Sequence, residues 1–275
     1  MKAAFSGLTA LLLANAAPAA TPAAPVSLWR LDCGKISVFD LDEFSDTRAY
    51  VGQHKDITAS CYLIRHGDTY MLWDTGLPKA MLNHVPDPKQ SLDATLTVTI
   101  VDQLAKLGLK PEQIAIVGIS HEHFDHTGQA GDFPGAKLLM GKGDIDDMRG
   151  PNADRGAPLA HWLKDGGAME PVTGDKDVFG DGSVVMLDMP GHTPGHHALL
   201  VRLAHKGYVL LSGDTAHFAE NYASNGVPSF NSNRADTLAS LDRFKNFAAN
   251  LHATVIIQHE FADIAKLPAF PKAAD

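Results

Sequence analysis

The chain has 275 residues, 45% of them apolar, with a formal charge of −9 and an isoelectric point near 5.8. That apolar share is enough for a full hydrophobic core. The acidic balance argues against partners that must be met by basic patches, namely nucleic acids and anionic membrane surfaces.

The chain opens "MKAAFSGLTALLLANAAPAATPAAPVS": one cation at Lys2, an apolar run to Ala14, then small residues with cleavage-compatible Ala-x-Ala spacing. This pattern predicts a secretory signal peptide over 1–19 and an Ala/Pro linker over 20–27, with a periplasmic or secreted mature protein. An Ala/Pro tail is the alternative. A retained anchor is not expected, because the apolar run falls short of the ~20 residues needed to cross a bilayer. No linker, low-complexity tract or solenoid-length repeat follows Ser27, so one domain over 28–275 is expected.

"LWRLDCGKISVFDL" (28–41) and "SCYLIRHGDTYMLWDTG" (60–76) carry the β-branched and aromatic residues of strands, and His66-Gly67-Asp68 suits a hairpin turn. Met71, Leu72 and Trp73 read as core strand. Cys33 and Cys61 lie in these segments, and the residues leave open whether they pair or stay as buried thiols. Helical periodicity marks 99–109, stopped at Gly108, and 233–251, with Leu238, Leu241, Phe244, Phe247 and Leu251 on one face. Four short apolar runs of strand length fill much of the remainder: 114–120, 184–190, 207–214 and 253–260. Each ends at or just before a side chain able to bind metal: His121, His192, Asp214 and His259. Rigid strands with reactive groups at their tips make a preorganised site.

The densest of these tips is "HEHFDH", which holds His121, His123, Asp125 and His126 within six positions. In an extended or tightly turned segment, His121 and His123 point to one side while Asp125 and His126 can face a second ion. Borderline metals accept imidazole nitrogen and carboxylate oxygen together.

HxHxDH at 121–126, "GHTPGHH" at 191–197, "SGD" at 212–214, the late His259 and "WDTG" at 73–76 resemble the metallo-β-lactamase superfamily in identity and in order. The resemblance implies an αββα sandwich with a dinuclear metal site at the edge of its two sheets. His121, His123 and His192 would hold one ion, Asp125, His126 and His259 the other, and Asp214 would bridge them. Asp74 would brace the ligand loop and His196 would orient a ligand. The cofactor implied is a pair of divalent transition-metal ions, zinc first, with iron, manganese or cobalt also compatible. Such a pair ionises a shared water near neutral pH, so no serine or cysteine nucleophile is needed.

The stretch 213–244, with Glu220-Asn221-Tyr222, Pro228, Phe230 and then Thr237, Leu238 and Ser240, is similar to N-acyl homoserine lactonases, as is 126–148. This likeness implies a small-molecule lactone or ester substrate, with Phe218 and Tyr222 as substrate-contact candidates. Many of those lactonases carry a tyrosine three residues after the bridging aspartate, whereas this chain has His217. An imidazole can still donate a hydrogen bond there, so Asp125 and His217 are the candidate catalytic groups, either of which could serve as acid toward the leaving alkoxide. The pocket walls are expected from 44–56 and 143–162. A β-lactamase is the rival reading, but those enzymes usually place cysteine or serine where Asp214 stands. Thioester hydrolases of the glyoxalase type resemble a longer, more basic C-terminal part than "FADIAKLPAFPKAAD". A metal-stabilised binding protein would be expected to lack ligands, and all seven positions are filled.

Overall fold

The computed structural model describes residues 24–275, so the leader assigned to 1–19 lies outside the described residues. Among the described residues, twelve strands and six α-helices alternate. The strands β1 (Val26–Val38), β2 (Lys55–His66), β3 (Thr69–Trp73) and β4 (Leu92–Thr95) come first, then α1 (Ile100–Lys106), β5 (Ile114–Ile119), α2 (Phe124–Thr127), β6 (Lys137–Gly141), α3 (Lys142–Met148), α4 (Ala160–Leu163) and β7 (Met169–Val172). A second group follows with β8 (Lys176–Asp177), β9 (Val184–Asp188), β10 (His197–Leu203), β11 (Gly207–Leu211), α5 (Ala219–Ser224), α6 (Arg234–Asn250) and β12 (Thr254–Ile256).

The first group forms a seven-stranded sheet in the order β4-β1-β2-β3-β5-β6-β7, the second a five-stranded sheet ordered β12-β11-β10-β9-β8. Alternation along each strand sends side chains to two different cores. In β10, Leu199, Val201 and Leu203 join the core between the sheets, while Ala198 and Leu200 pack outward with Phe244 of α6. In β2, Tyr62 and Ile64 face the other sheet, while Cys61 and Leu63 face the layer that contains Ile100 and Leu104 of α1 and Ile145 of α3. Both faces of each sheet are thus buried, which is why these strands read as nearly continuous apolar text. The layers are helix, sheet, sheet and helix, the αββα sandwich that the motifs implied.

Local chemistry sets the boundaries. Thr99 caps α1 in a reciprocal box with Asp102, Gly108 follows in the left-handed region, and Asn233 caps α6 by accepting from Ala235 and Asp236 N–H groups. The 66–68 turn joins β2 to β3 as the sequence suggests. Two expectations need correction. Val26 and Ser27 belong to β1, paired with His66 and Arg65, so the linker does not extend to 27. The last strand is only Thr254–Ile256, because the chain turns at Ile257, whose N–H donates to Asp263 (2.8 Å).

Cys33 and Cys61 form a disulfide, which decides the alternative left open by the residues alone. Cys61 stands opposite Leu31, so Cys33, two residues further along β1, lies on the same face and diagonal to it.

Trp73 is fully buried between the sheets, and its neighbour Gly118 on β5 makes room for it: a methyl at Gly118 would lie 2.8 Å from the indole and 2.6 Å from Met71. Because Trp73 immediately precedes Asp74, this packing also fixes the entry to the site. Trp73→Ala should cost about 3–5 kcal/mol of unfolding free energy in chemical denaturation. A loss under about 1 kcal/mol would show that the inter-sheet core repacks around the gap.

Candidate metal centre

Strand direction brings the site together. β9 and β11 are both antiparallel to β10, and β12 is parallel to β11, so three tips of the small sheet point the same way. They deliver His192, Asp214 and His259, while β5 of the large sheet delivers His121 and His123 and runs into α2 with Asp125 and His126. One group of donor atoms comprises His121, His123, His192 and Asp214, and a second comprises Asp125, His126 and His259. Within each, all donor atoms lie within 4.8 Å of one another. The structure therefore gathers all seven residues that the motifs singled out.

Asp214 spans the two groups. Its Oδ2 lies 3.6 Å from His121 Nε2 and 3.4 Å from His192 Nε2, while Oδ1 lies 3.3 Å from His126 Nε2 and 3.0 Å from His259 Nε2. Asp125 Oδ2 is 3.6 Å from His126 Nε2 and 3.7 Å from His259 Nε2.

Outer partners fix which nitrogen of each ring carries hydrogen. His259 Nδ1 donates to the Thr58 carbonyl (2.7 Å), and His126 Nδ1 donates to the Asp74 carboxylate (2.9 Å). His192 Nδ1 donates to Asn231 Oδ1 (2.8 Å), whose own amide is oriented by donating to Thr237 Oγ1 (3.0 Å). Each of these rings is left with a bare Nε2 aimed inward. Ser120 Oγ donates to Asp74 (3.0 Å) and can accept from His121 Nδ1 (3.1 Å), so that ring too presents its lone pair.

His121 Nε2, His192 Nε2 and His123 Nδ1 stand 3.0–3.1 Å from one another. His126 Nε2 and Asp214 Oδ1 are fully buried with no hydrogen-bond partner. Lone pairs so close, without hydrogens between them, repel unless a cation lies among them. Nitrogen and carboxylate donors at these positions fit divalent transition metals.

Asp74 and His196 stand directly behind the donor groups. Asp74 is buried with φ 60°, and besides His126 it accepts from Ser120 N (2.7 Å). His196 Nδ1 donates to the Met189 carbonyl (3.0 Å), and its Nε2 accepts the backbone N–H of Asp214 (2.7 Å). Gly213 makes that approach possible: it has φ 48°, and a methyl on it would lie 2.6 Å from His196 Nε2.

Asp144 is a supporting residue that sequence reasoning missed. It accepts from Glu122 N (3.1 Å), Thr193 Oγ1 (2.8 Å) and Gly195 N (2.6 Å), buckling the 121–123 loop to the 192–195 loop. Burial pushes its carboxyl up to about 7 against the pull of these three donors. Nothing at Gly-Asp-Ile in the sequence marks it, because its partners lie far along the chain.

A cavity of about 320 Å³ opens over Asp125, Asp214, His217 and His259. Its apolar wall includes Ile36, Phe44, Ile57, Leu92, Phe124 and Phe230. Phe44 comes from the expected 44–56 segment. The 143–162 segment lines an adjoining cavity, through Asp147, Asn152 and Arg155, which shares His123 and Phe230 with this one. His217 is buried at the cavity floor with Nε2 3.2 Å from Asp214 Oδ2, its ring stacked on His259 and edge-on to Phe44.

Phe218 and Tyr222 do not line this cavity, which corrects the substrate-contact expectation. Phe218 is fully buried beneath Phe44 and Tyr50, and Tyr222 packs on Phe244 under the Lys245 ammonium. The phase of α5 is responsible, since it turns Tyr222 toward α6.

Electrostatics differ between the two donor groups. For His121 and His123, burial and neighbouring imidazoles hold the rings well below the ordinary imidazole range, and His192 is lowered to about 3, chiefly by burial. Burial also acts to lower His126 and His259, but the carboxylates of Asp214 and Asp125, with Asp74 for His126, outweigh it and raise both. Burial would raise Asp214, yet His259, His217, His126 and His121 hold it well below the carboxylate range. Metal binding requires bare nitrogen, so protons compete at His126 and His259 from above ~6.5 downward, while the other three imidazoles stay neutral. Dialysis of metal-loaded protein in steps from about pH 8 to about pH 5 should therefore release one ion per chain before the other. Loss of both in a single step would contradict this asymmetry.

Residues 55–259 match the family described as the metallo-beta-lactamase superfamily. The N-acyl homoserine lactonase AttM of Rhizobium radiobacter is 32% identical over 62% of this chain and 68% of its own. An N-acyl homoserine lactonase of Bacillus sp is 27% identical over 80% of this chain and 88% of its own. Among solved structures, a quorum-quenching N-acyl homoserine lactone hydrolase superposes with a TM-score of 0.77 at 22% identity, covering 91% of this chain and 98% of that one. AidC, a dizinc quorum-quenching lactonase, superposes with a TM-score of 0.63 at 17% identity, covering 92% and 91%. With its αββα layers, its two facing donor groups and this family match, the chain belongs to the metallo-β-lactamase superfamily.

Proposed function

We propose that this protein is a metal-dependent hydrolase that opens the lactone ring of N-acyl homoserine lactones. The observation that carries the reading is a seven-donor site in two groups, floored by His217 and opening into an apolar cavity, in a chain 32% identical to a lactonase. His121, His123 and His192 would hold one ion and Asp125, His126 and His259 the other, with Asp214 between them. Zinc is the expected metal, because the donors are imidazole and carboxylate and AidC is a dizinc lactonase. When bound, such ions supply Lewis acidity and a water acidified to near neutrality.

The chain's own residues set the remaining terms. The apolar wall takes the acyl chain and excludes water from the reacting ester. Asp125 lines the cavity on the side of the second group, placed to take up the proton released by the attacking water and hand it to the alkoxide that leaves when the ring opens. His217, at the seam between the groups, can donate a hydrogen bond to an oxygen that gains charge beside Asp214. The Asp214 carboxylate is itself fixed through its backbone by His196.

The Cys33–Cys61 disulfide and the leader-like N-terminus support export to an oxidising compartment. Among the described residues, no helix is long and apolar enough to cross a membrane.

Ring opening releases a proton, so a pH-indicator assay with short- and long-chain acyl homoserine lactones, beside a chromogenic cephalosporin, tests the reading. Lactones should be hydrolysed faster, and faster turnover of the cephalosporin would contradict the proposal. His217→Ala should lower kcat at least tenfold with a smaller change in KM. An unchanged kcat would remove His217 from the chemistry.

A further inference from the structure

The wall of the cavity carries one charged side chain outside the donor groups, Glu43, set among the apolar residues that would meet the acyl chain. Among the described residues, no lysine or arginine lines this cavity. Three nearby ion pairs are formed without it: Asp42 with Arg48 (2.9 Å), Asp46 with Arg234 (2.5 Å) and Lys55 with Glu220 (2.8 Å). No ion pair involves Glu43 among the described residues.

The position of Glu43 is built into the fold. It lies in the short helical turn Leu41–Phe44, capped by Asp40. On one side of that turn, the Phe39 and Asp40 N–H groups both donate to the Ser91 carbonyl (2.8 and 3.0 Å). On the other, the Glu43 carbonyl accepts from Ser229 N (2.9 Å) and Ser229 Oγ (2.8 Å), and Asp46 N donates to the Val227 carbonyl (2.7 Å). The next residue, Phe44, packs edge-on against both His217 and Phe230. Glu43 is thus stapled to two walls of the cavity and half-buried, where its charge is screened less than at an open surface.

We propose that Glu43 acts as a charge filter: the cavity admits acyl groups that are neutral or carry a cation and turns away those that carry a carboxylate. Two like charges in a half-buried, largely apolar cleft repel strongly enough to change binding by about tenfold or more. Glu43 neither touches the reacting atoms nor holds metal; it determines specificity through the electrostatic potential of the wall. The inference rests on the lactonase reading for its substrate class.

The test compares three homoserine lactones with acyl chains of equal, short length ending in a methyl, a carboxylate or an ammonium group, using metal-loaded wild type, Glu43→Gln and Glu43→Lys. In the wild type, kcat/KM for the carboxylate-ended lactone should lie about tenfold or more below that of the methyl-ended one, mainly through KM, and the gap should shrink as salt is raised. Glu43→Gln should bring the ratio to within about twofold, and Glu43→Lys should invert it. A ratio unchanged in Glu43→Gln would overturn the proposal. If no lactone is turned over, the lactonase reading fails instead. The filter is then read by calorimetric binding of octanamide and its carboxylate-ended analogue, where an unchanged preference in Glu43→Gln overturns it and a reversal in Glu43→Lys supports it.

Discussion

The organising constraint is the convergence of unshared electron pairs. Five imidazoles turn a ring nitrogen toward two small volumes with Asp214 between them, and in four of those rings the other nitrogen is tied outward, to Asn231, Thr58, Asp74 or Ser120. Such a cluster is stable only with positive charge at its centre, either as protons or as metal ions. The raised His126 and His259, set against the lowered His121, His123 and His192, show how unevenly protons alone would serve it.

Much of the rest of the molecule can be understood as holding those electron pairs in place. The two sheets share a dry core, so the tips of β5, β9, β11 and β12 cannot drift apart without opening it. Asp74 is held between the buried Trp73 and the positive-φ turn that follows, and it grips both Ser120 and His126. Asp144 joins two donor-bearing loops that come from different sheets. Each support is a fully or nearly fully buried polar group whose partners are supplied locally, so the loss of one leaves others unsatisfied.

Four of the candidate donors were legible because each stands at the end of an apolar strand, and position relative to a strand tip survives without knowledge of packing. His121, His192, Asp214 and His259 were found that way, and the layered fold followed from the resemblance those motifs carry. What stayed hidden depends on contacts between distant segments. Asp144 meets Gly195 across 51 positions, and Glu43 faces the cavity only because Ser91 and Ser229 hold its turn there. Phe218 and Tyr222 sit in a stretch that resembles lactonases, but the rotation of one short helix sends them into the core. The cysteine pairing likewise depends on the β1–β2 register, including the irregularity between Asp32 and Lys35, which periodicity does not encode.

The proposed chemistry requires two cations held by these seven side chains. The most direct measurement is anomalous X-ray diffraction from crystals of protein purified without chelators, collected on both sides of the metal absorption edge. Two anomalous peaks are predicted, one enclosed by His121, His123 and His192, the other by Asp125, His126 and His259, with the Asp214 carboxylate reaching toward both. Well-ordered side chains at these positions in metal-supplemented crystals, with no anomalous signal between them, would contradict it.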